Sequence, residues 1–236
     1  MRTSKTVTVG LVGLVALGML LLAPVGGSGD AELSVHAIRP VGACSSPSND
    51  DSATAFVQLS GTLGSLTYRT NPATYPSNLS AASVESAIDA AFATWETGTD
   101  AGDRFAKGLT TSARGGKRDG VNAISWGGAN GAVAVAYTWT NSSTGQVVEE
   151  DLVFSKAFAW STNGTLSEDP GAAADDCAGA AEAFDVQAIA THELGHWLRL
   201  GHPSNNRQSM YGFVSYRELY KRSLGAGDVG GANERY

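Results

Sequence analysis

Charge is scarce in this chain: Asp, Glu, Lys and Arg together make up 17% of its 236 residues. Basic residues are the rarer sign, 16 against 23 acidic, for a net charge of −7. An acidic chain lacks the electrostatic footprint of a nucleic-acid binder. Few charges beside 29 glycines speak for many turns and little long surface helix. Cysteine is limited to Cys44 and Cys177, so at most one disulfide can form. Histidine is limited to four residues, and three fall within one eleven-residue stretch, His192-Glu193-Leu194-Gly195-His196-Trp197-Leu198-Arg199-Leu200-Gly201-His202. Only His36 remains outside it, so a second zinc site built from histidines is excluded. The 42% hydrophobic content is enough for one globular domain with a sizeable core.

His192 and His196 are four residues apart. On a helix that places them on one face, roughly 6 Å apart along the axis. Two imidazoles so placed can converge on one metal ion. Glu193 sits one step round the helix, off the ligand face but within reach of a water at the metal. This is the logic of H-E-x-x-H, two ligands and a general base. His202 could not join them on a continuing helix, because it would lie roughly 9 Å beyond His196. Gly201 can take φ > 0 and Pro203 biases His202 away from the helical region, so a broken helix can return the third imidazole. Three protein ligands leave a tetrahedral zinc one open position, the catalytic rather than the structural form. The plainer reading is a surface helix that carries two histidines by accident. The third histidine and the helix break argue against it.

The stretch HELGHWLRLGH resembles the H-E-x-x-H-x-x-G-x-x-H signature of the metzincin zinc peptidases. It departs at one position, where the family's glycine is Arg199. Either Arg199 takes φ > 0, at a cost on the order of 1 kcal/mol, or the helix runs on and Gly201 makes the turn. The resemblance implies that His192, His196 and His202 bind one catalytic Zn2+ and that Glu193 is the catalytic base. It also implies a Met-turn at Gln208-Ser209-Met210-Tyr211-Gly212, with Met210 as an apolar platform under the ligands. Without the resemblance, Met210 reads as an ordinary core methionine. Where Gly212 stands the matrixins usually have proline, in a wall of the pocket for the residue after the cut.

Residues 1–29 read as a secretory signal peptide. Arg2 and Lys5 precede an uncharged apolar run from Val7 to Ala23, which is at the short end for a membrane span and is followed by small residues. Its removal leaves 14 basic against 23 acidic residues, a net of −9. The expected localisation is therefore secreted, with no membrane contact after cleavage. In an oxidising compartment Cys44 and Cys177 are expected to form a disulfide. The alternative is a matrixin-like switch in which Cys44 ligates the zinc.

Residues 30–61 read as a short N-terminal or pro segment, with His36 an exposed residue remote from the metal motif. Residues 62–236 read as the catalytic domain. Leu63 to Arg69 has strand character, and Ser80 caps an amphipathic helix of about four turns with Val84, Ile88, Ala91, Phe92 and Trp95 inward. Strands are expected at Phe105–Thr110, Val121–Trp126, Ala132–Thr140 and Val147–Phe154, with Glu149 to Asp151 on a solvated side. Asn163 to Ala183 is a loop whose acids, Glu168, Asp169, Asp175 and Asp176, are read as solvated, with Ca2+ binding the alternative. Asp185 caps the metal helix. The tail from Lys221 resembles the start of a short final metzincin helix.

The fold class expected is α+β: a metzincin-like zincin with a twisted, mostly parallel sheet, an antiparallel edge strand and two long helices. The order of elements is closest to the matrixins. There the strand matching Ala132–Thr140 is an exposed edge that binds protein or peptide substrates in extended form. The function implied is a secreted, monomeric zinc endopeptidase. Its rivals are a catalytically inactive metallopeptidase-like binding module and a zinc-stabilised structural domain.

Overall fold

The computed structural model describes residues 30–164 and 176–236. The leader and the acids Glu168, Asp169 and Asp175 lie outside the described residues. In chain order the strands are β1 (Ala31–Pro40), β2 (Val57–Gln58), β3 (Leu66–Thr70), β4 (Phe105–Lys107), β5 (Asn122–Gly127), β6 (Ala134–Asn141), β7 (Val147–Ser155), β8 (Trp160–Ser161), β9 (Phe184–Asp185), β10 (Leu200–Gly201) and β11 (Phe213–Val214). The helices are α1 (Ala81–Gly98), α2 (Val186–Trp197) and α3 (Ala226–Arg235). Among the described residues no helix is long and apolar enough to cross a membrane.

Seven strands form one mixed sheet in the order β11-β1-β6-β7-β5-β3-β4. The block β4-β3-β5-β7 is parallel, β6 runs antiparallel to β7, and β1 runs antiparallel to β6 and parallel to β11. Helices α1 and α2 pack together beneath it, and their shared interior carries Ile88, Phe92, Trp95, Ile189, Leu194 and Trp197. Ser80 accepts the Ser83 amide at 3.1 Å and opens α1. The helix then runs 18 residues, a turn longer than its apolar spacing suggested. Its aromatic stripe is core, as expected.

Two expectations are corrected here. The segment before residue 62 contributes a strand, because β1 adds eight paired positions along β6, from Ala31↔Asn141 to Ile38↔Ala134. Consequently β6 is not an edge; the chain covers it with its own N-terminal segment. Glu149, Glu150 and Asp151 are buried rather than solvated. Strand β7 lies inside the sheet, and residues 116–120 fold over one of its faces. Glu149 accepts the amides of Asp119 and Gly120, and Asp151 accepts those of Gly116 and Ala123. Backbone N–H groups satisfy the buried carboxylates of Glu149 and Asp151, whereas Glu150 accepts the Thr138 hydroxyl at 2.7 Å.

Candidate metal centre

Helix α2 begins where Asp185 accepts the Ala188 amide at 2.8 Å. Asp185 also takes the guanidinium of Arg222 on both carboxylate oxygens. The helix places His192, Glu193 and His196 where solvent does not reach them. It ends at Leu198, and Arg199 turns the chain at φ 65°. Of the two turns the sequence allowed, Arg199 therefore makes this one, while Gly201 is in strand β10 beside β2. The strain is offset by the side chain: Nε and Nη2 of Arg199 both donate to the Ser60 carbonyl, at 2.8 and 2.6 Å. Arg199 is 2% exposed, a buried clasp on the segment that precedes β3.

The turn returns His202 to the other two histidines. Its Nε2 lies 3.1 Å from Nε2 of His192 and 2.9 Å from Nε2 of His196. His202 is the most exposed of the three. Nδ1 of His192 donates to the Ser209 carbonyl and Nδ1 of His196 to the Leu200 carbonyl, both at 2.7 Å. A carbonyl only accepts, so these bonds fix the proton on Nδ1 and leave each Nε2 with a lone pair. Burial and the neighbouring imidazoles hold all three rings neutral, with His202 pushed down to about 4. Nitrogens bound to tetrahedral zinc at 2.0–2.1 Å sit about 3.3 Å apart. The two separations from His202 are within a few tenths of an ångström of that, and the donor set suits the ion.

Glu193 completes the geometry. Both carboxylate oxygens are buried without a closed hydrogen bond. The amides of Ile38 and Ala136 face the carboxylate, while burial pushes its pKa well above the usual range. A buried carboxylate with no closed hydrogen bond, on the residue after the first of three convergent histidines, suits an acid that exchanges a proton with water.

Met210 is 1% exposed and lies under α2, with its sulfur against Gly195. Its turn is clamped from below. Asp228 accepts the amides of Ser209 and Met210 at 2.6 and 3.1 Å, and Nζ of Lys221 donates to the Tyr211 carbonyl at 3.1 Å. Gly212 lies close against the third ligand: a Cβ there would stand 2.7 Å from Nδ1 of His202. That contact accounts for glycine at this position.

A profile of the matrixin family matches residues 60–236. The chain belongs to the matrixin family. Metalloendoproteinase 1 of Glycine max is 32% identical over 77 residues, 33% of this chain and 22% of that protein, so the shared stretch is about a fifth of the relative's length. The three-histidine cluster is a group that could hold a metal ion. The matrixin match begins after β1 and β2, so these two strands lie outside it.

Cys44 and Cys177 form a disulfide, and the cysteine-switch alternative falls with it. The same bond removes Cys44 as a fourth ligand. Asp176, the one described acid of the loop read as solvated, is buried. His36 is another correction: its ring stacks on that of His196 with centroids 4.7 Å apart. Sequence reading also missed Asp228 and Lys221. For His36 a signal was present, since Leu33, Val35 and Ala37 alternate with polar residues at strand period. For Asp228 and Lys221 there was none, because their partners are backbone groups brought close only by the fold.

Proposed function

We propose that this matrixin is a secreted zinc endopeptidase. The observation that carries the reading is the convergence of three histidine Nε2 atoms, with the buried carboxylate of Glu193 on the residue next to His192 in α2. His192, His196 and His202 would hold the ion, and Met210 would support them from below. When bound, zinc supplies Lewis-acid activation of water and of the scissile carbonyl. Glu193 takes a proton from the attacking water and passes it to the leaving amine nitrogen. The burial that raises its pKa makes it a better proton acceptor than a solvated carboxylate. Protein or peptide substrates would lie extended along β6 only where β1 gives way, because β1 already pairs with that edge. The disulfide and the N-terminal leader support export.

The test is Glu193→Gln. The variant should keep one zinc per chain and lose peptide hydrolysis by at least ~100-fold, the low end for general acid–base catalysis. Full activity in that variant would remove Glu193 from the role. One observation favours an inactive binding module instead, namely that β1 already lies along β6. A casein digest with and without a chelator separates the two readings.

A further inference from the structure

The face of the sheet turned away from α1 and α2 carries a loop that the catalytic reading does not use. Side chains alternate along β5 and β7, so Ile124, Trp126, Leu152 and Phe154 enter the core while Ser125, Asp151 and Val153 face the other way. Residues 114–120 lie on that outward face. The Gly115 amide donates to Oγ of Ser125 at 3.0 Å and the Gly116 amide to Asp151 at 2.7 Å. The amides of Asp119 and Gly120 donate to Glu149 at 2.8 and 2.7 Å. A Cβ on Gly115 would stand 2.8 Å from Val153, and Gly116 takes φ 88°. Two glycines therefore let the loop lie flat on the sheet.

The side chains that this loop presents are cationic. Arg114, Lys117 and Arg118 are exposed, and so is Arg69 of β3, which pairs with Ala123 on the same face. Among the described residues none of these four has an ion-pair partner. The acids beneath them are engaged elsewhere, because Glu149 and Asp151 are buried and accept loop amides. Asp119 is the exposed acid of the loop, and its Oδ1 accepts the Val121 amide at 3.1 Å. Elsewhere the chain buries basic side chains, as at Arg199, Lys221 and Arg222. Three unpaired cations within five residues thus stand out on a chain of net charge −7.

The loop abuts the strand along which substrates are placed. A Cβ on Gly116 would lie 3.4 Å from the ring of Tyr137, which pairs in β6 with Val35 of β1. The β1 residues on this face, Leu33, Val35 and Ala37, carry no charge, so β1 leaves the cations unmatched. Resting on the endopeptidase reading above, we propose that Arg114, Lys117 and Arg118, with Arg69, form an exosite for acidic substrates. It selects a segment that pairs with β6 in β1's place and carries Asp or Glu at alternate positions. An acid at the place of Val35 stands across Tyr137 from the loop. The attraction acts on encounter and binding and leaves the chemical step unchanged.

The experiment uses the zinc-loaded full chain and one fluorogenic peptide sequence, made with Glu or with Gln at alternate positions beside the cut. The Glu peptides should have kcat/KM roughly three- to tenfold above the Gln peptides at low salt, with the gain in KM. The gain should fade in about 0.5 M salt, where charges are screened within a few ångströms. Arg114→Gln, Lys117→Gln and Arg118→Gln combined should lose the gain and keep kcat/KM on the Gln peptides. Binding of the same peptides to zinc-loaded Glu193→Gln, which needs no turnover, should show the same preference. Equal kcat/KM for Glu and Gln peptides, or a gain retained in the triple variant, overturns the proposal and leaves the endopeptidase reading standing. Sedimentation with phosphatidylglycerol vesicles, lost in the triple variant and without any peptide preference, would assign the cations to a membrane surface and also overturns it. Hydrolysis of no peptide overturns the endopeptidase reading and the proposal with it.

Discussion

A methyl group on Gly195 would place its carbon 2.1 Å from the sulfur of Met210 and 2.8 Å from the ring of Trp95. The glycine in the middle of α2 is therefore a notch that lets Met210 rise between His192 and His196. Glycine inside a helix costs roughly 1 kcal/mol against alanine, so its presence needs this contact as a reason. Gly195→Ala should destabilise the fold by about 1–3 kcal/mol through overpacking, despite alanine's better helix propensity. Gly195→Ala with Met210→Ala should recover stability relative to the single variant. Urea unfolding measures both, and a stabilised Gly195→Ala would remove the notch.

The metal helix, its ligands and the first long helix were legible in the sequence because their signals are local. Asp185, His192, Glu193 and His196 lie within twelve residues, and helical periodicity ties them to one element. The core strands β5, β6 and β7 were legible from their β-branched and aromatic runs. What sequence hid was pairing. Nothing local to residues 31–40 says that they lie against residues 134–141, a hundred positions away. The same reason explains Glu149 and Asp151. Acids on a strand read as solvated until residues 116–120 bring backbone donors to them.

Arg199 tests how a departure from a family pattern is accommodated. At φ 65° a residue with a Cβ bears about 1 kcal/mol of strain that glycine does not. Arg199→Ala keeps the strain and loses the bonds to Ser60, whereas Arg199→Gly loses the bonds alone. Arg199→Ala should therefore be less stable than Arg199→Gly by about 1 kcal/mol, with both below the parent. Chemical denaturation of the three proteins checks this order. An Arg199→Ala protein as stable as Arg199→Gly would show that the turn is unstrained.

Asp151 gives a pH dependence whose sign is fixed. Burial raises its carboxyl to about 7, the nearby Glu149 adds to the rise, and the amides of Ala123, Gly116 and Lys117 oppose it. Tyr137 and Glu150 also feel this charge, and the pKa of each is raised by burial and by Asp151. In the unfolded chain Asp151 titrates near 3.9. Between those values the folded state binds more protons, so this group's contribution to stability falls as pH rises from about 4 to 7 and is level above. The stability difference between the parent and Asp151→Asn should thus shrink from pH 5 to pH 8. Urea titrations of both proteins at the two pH values measure it, and a difference that grows with pH would contradict the burial argument.

Zinc loading is expected to stabilise the fold visibly. Without a cation, His192 and His196 turn lone pairs toward Nε2 of His202 at 2.9–3.1 Å, and one proton on that nitrogen can satisfy only one of them. A ligand that binds only the folded state at a hundred times its Kd adds about 2.7 kcal/mol. For a domain of this size each kcal/mol moves Tm by roughly 2–4 °C, so saturating zinc should raise Tm by roughly 5–10 °C and a chelator should reverse it. Glu193→Gln should show the full rise, because the carboxylate is not a ligand, while His202→Ala should lose most of it. Differential scanning calorimetry distinguishes these outcomes. A full rise in His202→Ala would mean that the turn at Arg199 brings the third imidazole back for some purpose other than holding the metal.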